Sequence, residues 1–233
     1  MAALVVLAGI VVGLDRAAAY VATRQLVDGV QRSQGLAERP VAVIHGFPFL
    51  TQVIGGTLGS VDLDARGVTA DGVRLDSLHV HAVGVKISLG DVLNRRVREV
   101  PVRRVTGTVL LPFGELDRLI GRYVPGPAKV TISSSTGSRL TLRAELSVLG
   151  FGSGVSADVA DVQVVDGRLR LVPVPGAVDA LPGFVRGQAR DLLTITLPVP
   201  GLPFGLRLTS ARLTPQGVLA DAAGTDVVFP VGS

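Results

Sequence analysis

Hydrophobic and polar residues change their spacing near Gly35, and this change separates a helical N-terminal part from a remainder rich in strands. Between Asp15 and Gly35, apolar residues recur at the spacing of one helix face, which predicts an amphipathic helix that ends near Gly35. Polar residues such as Arg24 and Asp28 fall on the opposite face. The apolar positions are Ala19, Tyr20, Thr23, Leu26, Val27 and Val30.

After Gly35 apolar and polar residues alternate, which predicts half-buried antiparallel strands with one hydrated face. In two of them the parity slips: Val73 and Leu75 share a face, whereas Leu78 and Val80 take the other. Such a slip predicts a bulge, and bulges bend a sheet. The second slip separates Val100 and Val102 from Val105, Val109 and Leu111. The segments with alternating residues are 61–65, 78–82, 128–133, 139–148, and those starting at Gly167 and Gly205.

Three short segments return to helical spacing, each with one apolar stripe. The first begins near Pro48, which suits the first turn of a helix, and ends at Gly55 and Gly56. No polar linker divides the chain, so the prediction is one α+β domain: a long, curved and bulged antiparallel sheet with amphipathic helices against it. The stripes are Phe49, Leu50, Val53 and Ile54; Phe113, Leu116, Leu119, Ile120 and Tyr123; and Phe184, Val185, Ala189, Leu192 and Leu193.

The N-terminus begins with an uninterrupted apolar run, Ala2 to Leu14. It is shorter than the roughly 20 residues of a membrane-spanning helix but has the length of a signal-peptide core, and Ala17 to Ala19 offers a cleavage site. No basic segment precedes the run, and a buried core helix is the alternative. We therefore expect residues 1–19 to be a signal peptide or membrane anchor that exports the protein to the periplasm or the outer face of the plasma membrane. Residues 20–233 would then form the single domain.

Composition narrows the possible chemistry. The chain has no cysteine, which excludes disulfides, zinc–thiolate sites and a thiol nucleophile. Its net charge of +4 comes almost wholly from arginine, because Lys86 and Lys129 are the only lysines. The arginines are scattered and lack interleaved aromatic residues, which argues against nucleic acid and leaves an anionic membrane surface as a partner.

No motif predicts an enzyme. The "GFGSG" at Gly150 to Gly154 lacks the spacing of a serine hydrolase, and no phosphate-binding loop is present. His79 and His81 share a strand face, but only His45 or a carboxylate could complete a metal site, so hydrated strand residues are the simpler interpretation. We predict no cofactor, no metal and no catalytic residue, although catalysis is not excluded. The carboxylate pairs, Asp62 with Asp64 and Asp158 with Asp161, fit solvated strand faces.

The apolar content is high for a small soluble domain, with 47% hydrophobic residues and a mean hydropathy of +0.48. A bent sheet with helices against its apolar face can enclose a cavity or groove for an apolar ligand. The same residues can instead fill the interior. Composition alone leaves both possibilities open.

The string "GFPFLTQVIGG" at Gly46 to Gly56 follows the strand "VAVIHG" and precedes "VDLDARGV" at Val61 and "LHVHAVGVKISLGDVL" at Leu78. With these segments the chain resembles the LmeA-like phospholipid-binding proteins of the actinobacterial cell envelope, and the likeness covers nearly all of it after the N-terminal run. The resemblance implies a fold similar to the tubular lipid-binding proteins, with a curved sheet wrapped around helices. It also implies export or anchoring, phospholipid binding and a role in envelope glycolipid maturation such as lipomannan or mannan elongation. It brings no catalytic motif.

With that resemblance, the apolar stripes are expected to form the wall or mouth of a lipid cavity, with arginines at its rim binding the phosphate. A core plug that fixes the fold is the alternative for the "GFPFLTQ" segment. For the whole protein, the alternatives are a structural or interaction protein of the envelope and an envelope hydrolase or transferase. The expected lipid contacts are Phe47, Phe49, Leu50, Val53, Ile54, Phe113, Leu116, Leu119, Ile120, Tyr123, Phe184, Leu192 and Leu193, and the candidate headgroup residues are Arg95, Arg96, Arg122 and Arg186.

Overall fold

The computed structural model describes residues 2–70, 72–87, 90, 99–123, 129–136, 139–148, 151–174, 176, 179, 183–198 and 206–230. The helices it describes in full are α1 (Ala2–Gln34), α2 (Phe49–Ile54), α3 (Phe113–Tyr123) and α4 (Gly183–Leu193). The strands are β1 (Val41–His45), β2 (Thr57–Ala70), β3 (Val73–Lys86), β4 (Glu99–Pro112), β5 (Lys129–Thr136), β6 (Arg139–Val148), β7 (Phe151–Val165), β8 (Arg168–Pro173), β9 (Ile195–Leu197), β10 (Arg207–Thr214) and β11 (Gly217–Pro230).

The strands form two antiparallel sheets. Sheet A has six strands in the order β1-β2-β3-β4-β11-β10, and sheet B has five in the order β5-β6-β7-β8-β9. The predicted α+β class and antiparallel pairing are confirmed, but the strands make two sheets where the sequence predicted one long sheet. The sheets meet through β10 and β7 and share one hydrophobic cluster.

The parity slips are real, but no bulge absorbs them. From Thr57 opposite Lys86 to Ala70 opposite Val73, β2 and β3 keep a single register. The slips fall beside Gly67 and Gly84, whose φ angles are +63° and +68°, a backbone conformation that glycine adopts without steric cost. The paired strands change parity at the same position, so their apolar side chains move to the other face of the sheet together. The hydrogen-bond register between the strands is therefore kept. Register shifts occur elsewhere, between Leu208 and Ser210, Ile132 and Ser134, and Val159 and Asp161.

Helix α1 contains the predicted amphipathic helix but extends it to the apolar N-terminus without a break. Residues 5–14 are exposed, whereas from Asp15 onward the helix packs on sheet A and its connections. Val27 is buried as predicted, but Tyr20 points to solvent and stacks with the guanidinium of Arg24. The small side chains of Ala18, Ala19 and Ala22 make the contact with the body instead.

Two apolar regions occupy opposite ends of sheet A. The first, called the closed core here, joins α3 to sheet B and to the ends of β3, β4 and β11, and its fully buried members include Leu116, Ile120, Leu140, Leu142, Leu171 and Leu193. The second, called the open end, lies between α1, α2 and sheet A around Phe49, Leu58, Val85, Val102, Val105 and Val227. Val102 and Leu111 belong to different regions and are nine residues apart on β4, about 30 Å at the rise of a strand.

Candidate functional site

The segment between β1 and β2 turns sharply at Gly46. This glycine has a φ of +108°, and a Cβ placed on it would lie 2.4 Å from Nε2 of Gln52. The following Phe47–Pro48 peptide bond is cis, and α2 begins at Phe49. The Gly46 position therefore has room only for hydrogen, because the Gln52 amide fills the adjoining space.

The two polar residues of the segment brace it. The Gln52 amide donates to the Pro48 carbonyl (3.4 Å), and its Oε1 accepts from the backbone N–H of Gly59 (2.8 Å) at the start of β2. Thr51 Oγ1 donates to the same Pro48 carbonyl (2.8 Å). Thr51 and Gln52 thus fix α2 to its own N-terminus and to sheet A.

Helix α2 is capped by a residue from another helix. Pro48 provides no side-chain cap, and the backbone N–H of Leu50 instead donates to Oδ1 of the buried Asp15 on α1 (2.8 Å). The next residue, Arg16, places its guanidinium carbon 4.6 Å from the centre of the Phe47 ring. Sequence reasoning missed both residues, although the signal was present: a charged pair directly after the long apolar run.

The predicted apolar face of α2 divides into two. Phe49 is buried and Val53 is half-buried, and both pack into the open end. Leu50 and Ile54 point outward with exposures of 38% and 72%, and Phe47 just before the helix is 58% exposed. The segment therefore contributes to the interior and to an exposed apolar surface at once.

The open end is incompletely covered. Around its buried members lie half-buried side chains from α2, from the end of β3, from the beginning of β4, from the segment before β10 and from the end of β11. These side chains have no charge, so their surface suits the hydrocarbon part of a ligand and gives no means of bond cleavage. We expected an apolar cavity or groove, and the described residues do not show an enclosed cavity. These side chains are Val53, Ile87, Val100, Leu206 and Phe229, and the other partly buried members of the cluster are Ala18, Ala19, Ala22, Ile44, Val61 and Val80.

The apolar residues of α3 and α4 lie elsewhere, in the closed core. Leu116, Ile120 and Leu193 are fully buried and Leu119 nearly so, while Phe113 and Tyr123 pack on the same cluster half-buried. The side chains of Phe184 and Leu192 lie outside the described part of the chain. The structure therefore does not bring these residues together with α2.

The candidate headgroup arginines are not gathered at α2 either. Arg122 is exposed on the last turn of α3, and Arg186 on α4 donates to the Asp179 carbonyl (2.8 Å). Among the described side chains, both helices contribute to the closed core and neither contributes to the open end around α2. Arg95 and Arg96 lie outside the described residues. Arg16 is the arginine that the structure places beside the segment.

Comparison with known proteins identifies the family. The model of the LmeA-like phospholipid-binding family matches residues 13–223. The chain belongs to this LmeA-like family. The match starts just before Asp15 and ends within β11, so it includes the capping contact, α2 and both sheets. No curated protein and no solved structure matches the chain significantly.

In this LmeA-like chain the three histidines lie on the outer face of sheet A, each with an aspartate. Asp62 accepts from His81 and, at 2.6 Å, from Nε2 of His45, while Nδ1 of His79 lies 2.6 Å from Asp64 Oδ1. The hydrogen bond from His81 lowers the pKa of Asp62, partial burial opposes that shift, and the hydrogen bond from His45 adds to it. Among the described residues, no group of three or more histidines or carboxylates is placed to hold a metal ion.

A polar cleft of about 720 Å³ lies between β2, β3 and the beginning of α3. Its walls carry equal numbers of guanidinium groups and carboxylates, and Arg118 is already paired with Glu115. Such a balanced lining has no preference for an anion, and it lacks the apolar surface that acyl chains need. Its charged residues are Arg66, Arg74, Arg118, Glu38, Asp76 and Glu115.

Proposed function

We propose that this protein binds phospholipid without catalysis in the cell envelope, holding acyl chains against the open end of sheet A. The observation that carries the proposal is the uncharged, half-buried surface beside α2 in a chain of a phospholipid-binding family. In this proposal Phe49 and Val53 form the wall, while Phe47, Leu50 and Ile54 form the mouth. The fully buried residues of the closed core have no part in it, because they are already covered by protein.

Hydrophobic transfer supplies the binding energy. Each acyl methylene that moves from water onto an apolar surface gains about 0.8 kcal/mol, so the binding energy grows with the length of acyl chain that the open end covers. Apolar binding of this kind fits delivery or presentation of a lipid, because none of the described half-buried side chains at the open end carries a group that attacks an ester or phosphate. Transfer of lipid between envelope sites, in support of glycolipid maturation such as mannan elongation, is the process we propose for it.

We further propose that α1 stays attached as an anchor. The exposed run 5–14 fits either a signal sequence or an anchor that enters the bilayer part of the way. It opens the apolar helical stretch Val5–Arg32, whose part from Asp15 onward packs on the protein. Cleavage near Ala19 would remove Asp15, which caps α2, together with Ala18, which packs on the open end. Retention of the helix keeps those contacts, and it places the protein on the outer face of the plasma membrane.

Native mass spectrometry tests the proposal on the full chain, incubated with phosphatidylglycerol and released from detergent micelles. We expect a stoichiometric phospholipid adduct. Val53→Asp, which puts a charge at the half-buried wall, should remove it, whereas Val165→Asp, the same change at an exposed position on sheet B outside the proposed site, should retain it. Circular dichroism of both variants establishes folding. Absence of an adduct on the folded parent, or equal adducts on both variants, would contradict the proposal and favour a structural envelope protein with a filled interior.

A further inference from the structure

The exposed side of α2 is the surface that the proposed lipid wall does not use. Phe47, Leu50 and Ile54 form this surface, called the apolar foot here, and all three project away from the body while Phe49 and Val53 face inward. The foot is held rigidly, because Gln52 and Thr51 tie the segment to Pro48 and Gly59. Large apolar groups held outward by a braced backbone expose surface that water does not favour, and such patches mark interaction sites.

Helix α1 sets the position of the foot relative to a membrane. Residues 5–14 are apolar and exposed and reach about 15 Å beyond the body at 1.5 Å per residue. The first exposed charged side chain after this run is that of Arg16, and an exposed charge is costly inside hydrocarbon, so the boundary of the apolar layer falls between Leu14 and Arg16. Because Asp15 Oδ1 accepts directly from the Leu50 N–H, α2 is fixed at the level of that boundary.

The charged residue beside the foot, Arg16, lies at the same boundary of the apolar layer. Arg16 lies over the exposed Phe47 ring, which places a cation and an aromatic ring side by side just outside the apolar run. Aromatic and cationic side chains are the ones that occupy the headgroup layer of a bilayer, where anionic lipids attract basic residues. A protein surface would need a partner complementary to the foot and to the projecting helix together, whereas a bilayer accepts both.

We propose that the apolar foot inserts into the headgroup layer of an anionic bilayer beside α1, and so turns the open end of sheet A toward the membrane. In this orientation an acyl chain can pass from the bilayer to Val53 without crossing water. That purpose of the orientation rests on the proposed function. The wall holds the lipid, and the foot fixes the distance between the open end of sheet A and the bilayer that supplies the lipid.

Depth measurement tests the foot directly, and the cysteine-free chain permits a single label. The full chain carrying Ile54→Cys with a bimane fluorophore is reconstituted in phosphatidylglycerol vesicles that contain a lipid with a shallow nitroxide. The control label is Gln216→Cys in the exposed turn between β10 and β11, at the closed-core end of sheet A. We expect quenching about threefold stronger at position 54, as for a side chain buried several ångströms into the interface.

Equal quenching at positions 54 and 216 would overturn the proposal that the foot inserts into the bilayer. Weak quenching at position 54, combined with short distances between nitroxide labels there on neighbouring chains, would also overturn it and assign the surface to a second copy. Arg16→Gln should reduce quenching at position 54 in phosphatidylglycerol but not in phosphatidylcholine; an unchanged value would refute the role of Arg16. If mass spectrometry shows a phospholipid adduct but position 54 is not quenched, only the insertion of the foot is contradicted. If position 54 is quenched but no adduct forms, only the proposed function is contradicted.

Discussion

The two apolar regions of this protein use the same kinds of side chain but differ in how completely they are covered. In the closed core, sheet B closes over α3, and six large aliphatic side chains lose all contact with solvent. At the open end, among the described residues, the cover consists of α1 and the six-residue α2, and eleven partly buried apolar side chains surround seven buried ones. The difference teaches that one region supplies stability, while the other keeps apolar surface available to a ligand.

The first test of this difference removes side-chain volume from the closed core. Leu116→Ala leaves a cavity in a fully buried site and should lower the free energy of unfolding by about 3 kcal/mol. Ile54→Ala is the matched change at the foot and should cost less than about 0.5 kcal/mol, because that side chain is mostly exposed. Urea unfolding followed by circular dichroism measures both. Equal losses would mean that the two regions do not differ in their contribution to stability.

A second prediction concerns the turn that fixes the foot. Gly46→Ala forces a methyl group against the Gln52 amide at a positive φ, and should cost about 2 kcal/mol by displacing that brace. Gly67→Ala places no atom within 4 Å of the new methyl group, and its φ of +63° lies in the left-handed region that L residues tolerate better than the +108° of Gly46, so it should lose only about 1 kcal/mol. Thermal unfolding of the two variants compares them. If Gly46→Ala is the milder change, Gln52 does not brace the segment.

The smallest expected effect lies outside both regions, on the hydrated face of sheet A. Hydrogen bonds from His81 and His45 lower the pKa of Asp62, so its ionised form contributes stability above the ordinary aspartate pKa of about 3.9. That contribution is lost as the pH falls through the lowered pKa of the folded state. Asp62→Asn should therefore cost about 1 kcal/mol at pH 7, and the difference from the parent should shrink below about pH 4.

The control for that prediction is Asp64→Asn, which removes the contact with His79 alone and should cost less than the Asp62 variant. Unfolding in urea across pH 3 to 7 gives both curves. A difference between Asp62→Asn and the parent that persists unchanged to pH 3 would contradict the linkage.

Alternation and helical spacing predicted most elements of the fold because each depends on one local period. The strand at 139–148 and the helix after Pro112 appear where the pattern placed them. Local periodicity could not reveal that the strands divide between two sheets, since that depends on contacts distant in sequence. Nor could it divide Phe49 from Leu50, because both lie on one side of a helical wheel and only the position of sheet A decides which is buried.

The site was predictable in part for the same reason. The segment from Gly46 to Gly56 stood out by composition, and the structure places its phenylalanines at the open end and on the foot. Asp15 and Arg16 were not found, because a cap supplied by another helix has no sequence spacing. Of the candidate headgroup arginines, Arg122 and Arg186 lie on helices that pack in the closed core, since charge pattern carries no information about distance in the fold. Arg95 and Arg96 lie outside the described residues.

Photo-crosslinking tests the central claim, that acyl chains lie at the open end, most directly. The full chain is reconstituted with a phosphatidylglycerol that carries a diazirine near the end of one acyl chain, then irradiated, digested and sequenced by mass spectrometry. The account predicts adducts on Val53, Val100 and Phe229, beyond those on the apolar run of α1 that any anchored helix would give. Adducts confined to α1, or adducts on α3 and sheet B, would contradict it.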